Sequence, residues 1–154
     1  MASRINAHRG AARLKKIDLF STCNRRELAR VSSLCSATSR EKGATLTEQG
    51  TLGSQFFVIV EGEATAWRSG CKMATLGSGS FFGEMALLDR SVRTATVVAE
   101  TDISLLVLSQ REFNVLTDVA PTVAKRMMTE LSGRLRQADE WIADDSVSDR
   151  LRVP

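Results

Sequence analysis

Histidine and cysteine, the usual ligands of a structural zinc ion, are scarce in this chain. It has 154 residues with one histidine, His8, and three cysteines, Cys23, Cys35 and Cys71. No two cysteines have CxxC spacing, so the sequence predicts no metal site and no cofactor. An odd number of cysteines without that spacing is typical of free thiols in a reducing compartment, and we therefore expect a cytoplasmic protein.

Long apolar stretches are missing as well. No run approaches the roughly 20 residues that a membrane-spanning helix needs. The N-terminal MASRINAHRG lacks the apolar core of a secretory signal. The net charge of +3 is too small to predict nucleic-acid binding. With 43% hydrophobic residues, the chain is long enough to form one domain with its own core.

The charges that are present are distributed unevenly. Residues 1–17 contain five basic residues and no acid, whereas residues 139–149 contain five acids and no base. We expect two solvated ends; the alternative is that the ends attract each other or a partner. The chain thus divides into a basic arm at 1–16, a domain with a helical subdomain at 17–142, and an acidic tail or hinge at 143–154.

Three local signals predict where helices begin. Asn24 with Glu27, and Ser109 with Glu112, have the spacing of capping boxes, in which each side chain bonds the backbone of the other residue. Pro121 suits the first turn of a further helix, predicted over 121–141, because its missing N–H has no partner to lose there.

The region 43–108 has the pattern of short strands broken by glycines. It holds eight of the ten glycines, as tight turns with positive φ require. Apolar or β-branched runs lie between them at 56–60, 94–99 and 103–108, and Ser69-Gly70 suits a hairpin turn. Many short strands of this kind favour a sandwich or a jelly roll.

The segment from Phe81 to Val97 has the residues of an anion site. A short helix is predicted just after Gly83, and the free N–H groups at a helix start suit an anion. Arg93 follows nine residues after Glu84 among apolar neighbours, and a buried cation needs an anionic partner. From the residues alone, that partner is either Glu84, in an internal salt bridge, or a bound phosphate.

The stretch FGEMALLDRSVRTATV at 82–97 resembles the phosphate-binding cassette of the cyclic-nucleotide-binding domain family. That family includes catabolite activator proteins, regulatory subunits of cyclic-nucleotide-dependent kinases and cyclic-nucleotide-gated channels. The resemblance covers about residues 17–140, including Leu19-Phe20 and the run from Phe56 to Glu63. It implies an α+β fold, mainly a β jelly roll (double-stranded β-helix), flanked by N-terminal helices and a C-terminal helical lid.

The resemblance also implies a role for the cassette residues. Arg93 would hold the phosphate oxygens in a charge-assisted pair, and Glu84 would accept a hydrogen bond from the ribose 2′-hydroxyl. Gly83 would let the backbone approach the sugar, and Thr94 would reach the phosphate or the 2-amino group of a syn guanine. N–H groups around Met85 and Ala86 would point at the phosphate. The implied ligand-binding set is Phe82, Gly83, Glu84, Met85, Ala86, Arg93, Thr94 and Ala95.

In this family the helix after the barrel covers the base, and here that helix is 121–141. Ala138 and Asp139 stand where some relatives present hydroxyl groups to adenine, so that way of reading the base is not expected. The lid positions are Arg134, Ala138 and Trp141, with Arg134 the best-suited contact and Trp141 able to stack on the base. The choice between cyclic AMP and cyclic GMP stays open.

We therefore predict a regulatory domain, not an enzyme, that binds cyclic AMP or cyclic GMP and signals through its C-terminal helix to a protein effector. This chain is expected to contact neither DNA nor membrane. Apolar residues on that helix have the spacing of a short coiled-coil seam; they are Ala124, Met128, Leu131, Leu135, Ala138 and Ile142. This seam either pairs with a second copy of the chain in a homodimer or packs on its own barrel. The alternatives are the sensor half of a catabolite-activator-type transcription regulator without its DNA-binding domain, and a degenerate, non-binding copy used for protein interaction.

Overall fold

The computed structural model of the chain describes residues 3–4, 13–88 and 91–151. In these ranges the strands are β1 (Ser3–Arg4), β2 (Ser36–Arg40), β3 (Thr45–Thr47), β4 (Gln55–Glu61), β5 (Ala64–Arg68), β6 (Cys71–Leu76), β7 (Phe81–Phe82), β8 (Thr96–Ala99) and β9 (Ile103–Ser109). The α-helices are α1 (Arg25–Leu34), α2 (Glu84–Leu88), α3 (Gln110–Val119) and α4 (Pro121–Leu151), and a short 3₁₀ helix at Asp18–Phe20 precedes α1.

The strands form two antiparallel sheets. One has the strand order β1-β2-β9-β4-β7 and the other β3-β8-β5-β6, so the chain crosses repeatedly between them. At the β5–β6 hairpin, Ser69 (φ 52°) and Gly70 (φ 79°) form the turn that the sequence predicted. Two such sheets with flanking helices confirm the predicted jelly roll.

Strand β4 is buried on both faces, which explains its continuous apolar sequence. Phe57 and Ile59 belong to a core cluster shared with the other sheet, whereas Phe56 and Val58 belong to a cluster shared with the helices. The helical part of that second cluster includes Leu28, Val31, Phe113, Leu116, Val123 and Met127. Strand β4 therefore contributes side chains to both the core between the sheets and the core shared with the helical subdomain.

The predicted helix starts are confirmed. The side chain of Asn24 accepts from the N–H of Glu27 at 2.8 Å, and the Glu27 carboxylate accepts from the N–H of Asn24 at 3.1 Å. Ser109 and Glu112 make the same reciprocal pair at α3. Pro121 is the first residue of α4.

Helix α4 is longer than predicted. It continues past residue 141 to Leu151, so most of the expected acidic tail is helical. The predicted end was wrong because residues 142–151 contain no glycine or proline to stop a helix. The basic arm lies largely outside the described residues, and the division into arm, domain and tail stays a prediction.

Among the described side chains of α4, the apolar ones near its start pack on the domain. Val123 and Met127 are buried and Leu131 packs against the core. Met128 and Leu135 are 63% and 65% exposed. The side chain of Ile142 lies outside the described residues.

Candidate functional site

A cavity of about 730 Å³ opens between the four-stranded sheet, the turn after β7 and one face of α4. Most of the residues that the sequence assigned to the site line it together: Phe82, Gly83, Glu84, Arg93, Thr94, Ala95, Arg134 and Ala138. Met85 and Ala86 lie in the first turn of α2, but their side chains lie outside the described residues. The same holds for the side chain of Trp141, so these three roles stay predictions.

The short strand β7 positions the start of the site. Phe82 pairs with Phe57 of β4, and their rings stack with centroids 4.9 Å apart. Gly83 follows with φ 90°, a conformation that residues with a side chain rarely adopt. The turn made by Gly83 directs the chain into α2, so that Glu84 is the first residue of that helix.

The backbone of Arg93 is fixed before its side chain enters the site. Its N–H donates to the Thr51 carbonyl at 2.7 Å, and its own carbonyl accepts from the N–H of Gly50 at 2.9 Å. The guanidinium then donates from Nη1 to the Gly83 carbonyl at 2.8 Å and from Nη2 to the Gln55 carbonyl at 2.6 Å. Arg93 is only 7% exposed. Burial lowers the pKa of its guanidinium.

These contacts exclude one of the two partners that the sequence left open for Arg93, the internal salt bridge with Glu84. Its side-chain partners in the described part of the chain are two neutral carbonyl oxygens, and Glu84 is not among them. Glu84 forms its ion pair with Arg134 instead. Sequence spacing suggested the wrong pair because Arg134 comes from α4, far along the chain.

Glu84 is a buried carboxylate, only 4% exposed. Its Oε1 lies 3.4 Å from Nη1 of Arg134, while its Oε2 is buried and has no hydrogen-bond partner among the described residues. Burial raises the pKa of Glu84, and the N–H at the start of α2 and the charge of Arg134 partly oppose that rise.

Arg134 contacts three further groups. Its Nη2 donates to the Phe81 carbonyl at 2.9 Å and to Oε1 of Glu130 at 3.1 Å. Its guanidinium carbon lies 4.6 Å from the centroid of the Phe81 ring. The lid residue selected from the sequence therefore lies at the cavity, and it contacts the carboxylate that the sequence assigned to ribose.

Several site residues were missed from the sequence. Gln55 contributes only a backbone carbonyl, which no residue pattern reveals. Gly53 leaves room for the Arg93 side chain. Arg68 lines the cavity and donates from Nε to the Thr94 carbonyl at 3.1 Å, and Glu130 lines it from α4. The sequence pattern assigned Gly53 to a tight turn with positive φ, which was wrong, because its φ is not positive and its place is taken up by Arg93. An arginine at a strand end was the other available signal.

Other kinds of site find little support in the part of the chain that the structure describes. No group of three His, Cys, Asp or Glu side chains there is placed to hold a metal ion, and no described helix is long and apolar enough to cross a membrane. The cysteines are free. Burial raises the pKa of Cys23 to about 11 and that of Cys35 to about 12, so both thiols stay protonated.

The arrangement has the chemistry of a small-ligand receptor. A buried cation at one end of the cavity suits an anionic group, and a carboxylate with a free oxygen suits a hydroxyl group. The fold and the site together define a jelly-roll sensor domain with a helix packed along its ligand cavity. Residues 38–118 match the model of the cyclic nucleotide-binding domain. The chain belongs to that family, as its cassette predicted.

Sequence similarity to known proteins supports this assignment. Over 83 residues the chain is 42% identical to a cyclic nucleotide-gated potassium channel from Rhizobium etli, covering 54% of this chain and 23% of the channel. It is 32% identical over 115 residues to a cAMP-dependent protein kinase regulatory subunit from Aspergillus fumigatus, covering 73% of this chain and 28% of the subunit. The chain therefore spans less than a third of either relative.

The fold is also similar to that of a solved catabolite activator protein. The crystal structure of the catabolite activator protein from Thermus thermophilus superposes with a TM-score of 0.76 at 32% identity. The match covers 83% of this chain and 62% of that one. The shared part is thus the sensor fold described above, and it includes most of this chain.

Proposed function

We propose that this domain binds a cyclic nucleotide monophosphate in the cavity, with Arg93 on the cyclic phosphate and Glu84 on the ribose 2′-hydroxyl. One observation carries the proposal: within the described residues, the buried guanidinium of Arg93 bonds only neutral carbonyl oxygens. Glu84 is near enough to act on this charge electrostatically, but its ion pair is with Arg134. A small anion that pairs directly with the buried guanidinium is therefore stabilised. A cyclic phosphate, with a single negative charge, matches that need.

The energetics are sufficient for useful affinity. A hydrogen bond to a charged group contributes roughly 1.5–3 kcal/mol. Micromolar binding requires about −8 kcal/mol. Contacts of Arg93 and Glu84 therefore supply a large share of the binding free energy, and burial of the base against the apolar wall supplies the remainder of it.

Either cyclic AMP or cyclic GMP suits the cavity. The kinase regulatory subunit that this chain resembles is named for cyclic AMP, which makes that nucleotide the first to test. Thr94 is exposed at the cavity wall, where its hydroxyl would serve the phosphate or a guanine 2-amino group. We infer no turnover, because the proposed contacts hold the phosphate without supplying a nucleophile.

We further infer that α4 passes ligand occupancy on to a protein partner. The helix lines the cavity on one side and exposes Met128 and Leu135 on another, which supports pairing with a second copy or with an effector. Sedimentation with and without nucleotide tests this point. A monomer that stays monomeric in both states would contradict the homodimer and leave the effector as the partner.

A thermal shift assay tests the proposed function. A ligand that binds only the native state raises the melting temperature. We expect cyclic AMP, cyclic GMP or both to raise it, and linear 5′-AMP, which carries a different phosphate charge and shape, to raise it less. Chromatography of the recovered nucleotide should show it intact. No shift with either cyclic nucleotide would favour the degenerate, non-binding alternative.

A further inference from the structure

Helix α4 has an exposed apolar face. Met128 and Leu135 are both exposed, although Val123 and Met127 on the same helix are buried against the domain. Met128 and Leu135 lie seven residues apart, which is about two helical turns, so they share one face. Ile142 continues the same spacing in the sequence. An apolar face with this repeat suits pairing with a second helix.

The charges of α4 are divided between its two halves. Residues 121–136 contain four basic residues and one acid, whereas residues 137–151 contain five acids and one basic residue. Two parallel copies of this helix would bring halves of like charge together, which is unfavourable. Two antiparallel copies would bring each acidic half against a basic half. The charge distribution therefore favours the antiparallel arrangement.

The acidic half of α4 cannot contact the basic half of the same helix. The helix is continuous from Pro121 to Leu151. With a rise of about 1.5 Å per residue, residue 144 lies about 27 Å along the helix axis from Arg126. The complementary charges on this helix can therefore meet only when a second copy of it is present.

A groove of about 650 Å³ lies beside the start of α4. Lys125 lines it without an ion-pair partner in the described ranges, and Arg126 lines it while pairing with Asp18 at 3.6 Å. Glu130 shares this wall, but its carboxylate is paired with Arg134. Hydroxyl groups complete the lining; they belong to Thr22, Ser78, Ser80, Thr122 and Thr129. The groove therefore offers positive charge and hydroxyl donors to an acidic segment.

The helical repeat places the acidic half on the side that matches this groove. At about 100° per residue, Lys125, Thr129 and Glu140 fall on one flank of the face formed by Met128 and Leu135. In an antiparallel pair each flank meets the same flank of the partner helix, whereas in a parallel pair it meets the opposite flank. Glu140 of one copy would therefore approach the flank of the other copy that carries the groove.

We propose that α4 pairs with α4 of a second copy of this chain in antiparallel orientation. The helices cross near Leu135, and the acidic half of each lies along the groove beside Lys125 and Arg126 of the other. Both copies use the same surface, so the pair closes as a twofold symmetric dimer. The pairing rests on the role proposed above for α4, but not on nucleotide binding. The competing arrangement is a parallel pair, which differs in its electrostatics and its distances.

Sedimentation at several salt concentrations tests the sign of the electrostatics. We expect the dissociation constant of the dimer to rise about tenfold between about 0.05 M and about 0.5 M salt, because salt screens several ion pairs between exposed groups. A parallel pair would associate equally or more tightly at high salt, since screening relieves its repulsion, and that result would overturn the proposal. A monomer at every concentration would overturn it too, and is the result expected if the basic arm covered the acidic half within one chain.

Charge variants give the matched comparison. Asp144→Asn combined with Asp145→Asn removes two acids from the acidic half and should weaken the dimer by about fivefold. Glu61→Gln combined with Glu100→Gln is the control, because it removes the same charge from exposed positions outside α4 and should leave the dimer unchanged. Melting curves verify that each variant folds. Equal effects of the two double variants, or a tighter dimer in the first, would contradict the pairing.

Distances between spin labels determine the orientation. Labels on Ser148→Cys, in a background with Cys71→Ser to remove the exposed thiol, should lie about 40 Å apart in the antiparallel pair and about 10 Å apart in a parallel one. Labels on Ser132→Cys, near the crossing, should lie close together in either arrangement and verify that α4 forms the contact. A short distance at residue 148 would overturn the proposal.

Nucleotide binding separates this proposal from the proposed function. A monomeric protein whose melting temperature rises with cyclic AMP or cyclic GMP would refute the pairing alone. An antiparallel dimer whose melting temperature neither nucleotide raises would support the pairing and refute the proposed function.

Discussion

The guanidinium of Arg93 passes so close to Gly53 that a β-carbon at residue 53 would lie 1.9 Å from Nε and 2.2 Å from Cζ. No side chain can occupy that space unless Arg93 moves. Gly83 is also close to this side chain, since an added β-carbon there would come within 2.7 Å of Nη1. The position of the buried arginine therefore excludes a β-carbon at two glycines that are far apart in sequence.

Gly53→Ala should displace the Arg93 side chain from its two carbonyl acceptors. We expect cyclic nucleotide affinity to fall by about tenfold or more, because a hydrogen bond to a charged group is disturbed. Overpacking should also lower the free energy of unfolding by about 1–3 kcal/mol. Calorimetry and urea denaturation measure the two effects. Gly77→Ala is the matched control, since a β-carbon there meets no atom within 4 Å.

Glu84→Gln should change how stability depends on pH. Burial raises the pKa of Glu84 above that of an exposed carboxyl group, so the folded protein holds this proton more tightly than the unfolded chain. The stabilisation from that proton is complete below the unfolded pKa and is lost as the pH rises through the folded pKa. Without ligand, Glu84→Gln should therefore gain in melting temperature relative to the wild type as the pH rises. A difference that shrinks with rising pH would contradict the raised pKa.

Thr94→Ala separates the two roles of the Thr94 hydroxyl. If it bonds the guanine 2-amino group, cyclic GMP affinity should fall by about fivefold, the value of one neutral hydrogen bond, with cyclic AMP affinity unchanged. If it bonds the phosphate, both affinities should fall together. Parallel calorimetric titrations distinguish these results, and no change with either nucleotide would remove Thr94 from the site.

Ser109→Ala tests whether the capping box at α3 contributes to stability. The substitution removes the oxygen that accepts from the N–H of Glu112 at 3.2 Å, and we expect a loss of about 1 kcal/mol in urea denaturation. Ser132→Ala, at an exposed position within α4, is the control and should have little effect or a slightly stabilising one. Equal stability of the two variants would mean that the cap is not important.

Features that depend on neighbouring residues were predictable from the sequence. The pairs Asn24–Glu27 and Ser109–Glu112 lie three residues apart, and the turn at Ser69-Gly70 lies within its own hairpin. Short-range geometry decides each of them. The cassette was recognised by its resemblance to the family, which was possible because its residues lie on one continuous segment.

Features that depend on packing between distant segments were not predictable. The Arg134–Glu84 pair joins residues 50 positions apart, and the acceptors of Arg93 are backbone carbonyls that leave no trace in residue identity. The alternative of a Glu84–Arg93 salt bridge was reasonable by spacing, yet α4 brings a competing arginine to Glu84. The predicted end of α4 at residue 141 was wrong because no glycine or proline lies between residues 142 and 151.

Calorimetry of cyclic AMP and cyclic GMP with Arg93→Lys tests the central claim, that a buried guanidinium is neutralised by a cyclic phosphate. Lysine keeps the charge but cannot reproduce the fork, so we expect affinity for both nucleotides to fall by about a hundredfold or more. Arg111→Lys, an exposed position outside the cavity, should bind as the wild type does. A folded Arg93→Lys protein with unchanged affinity would contradict the account.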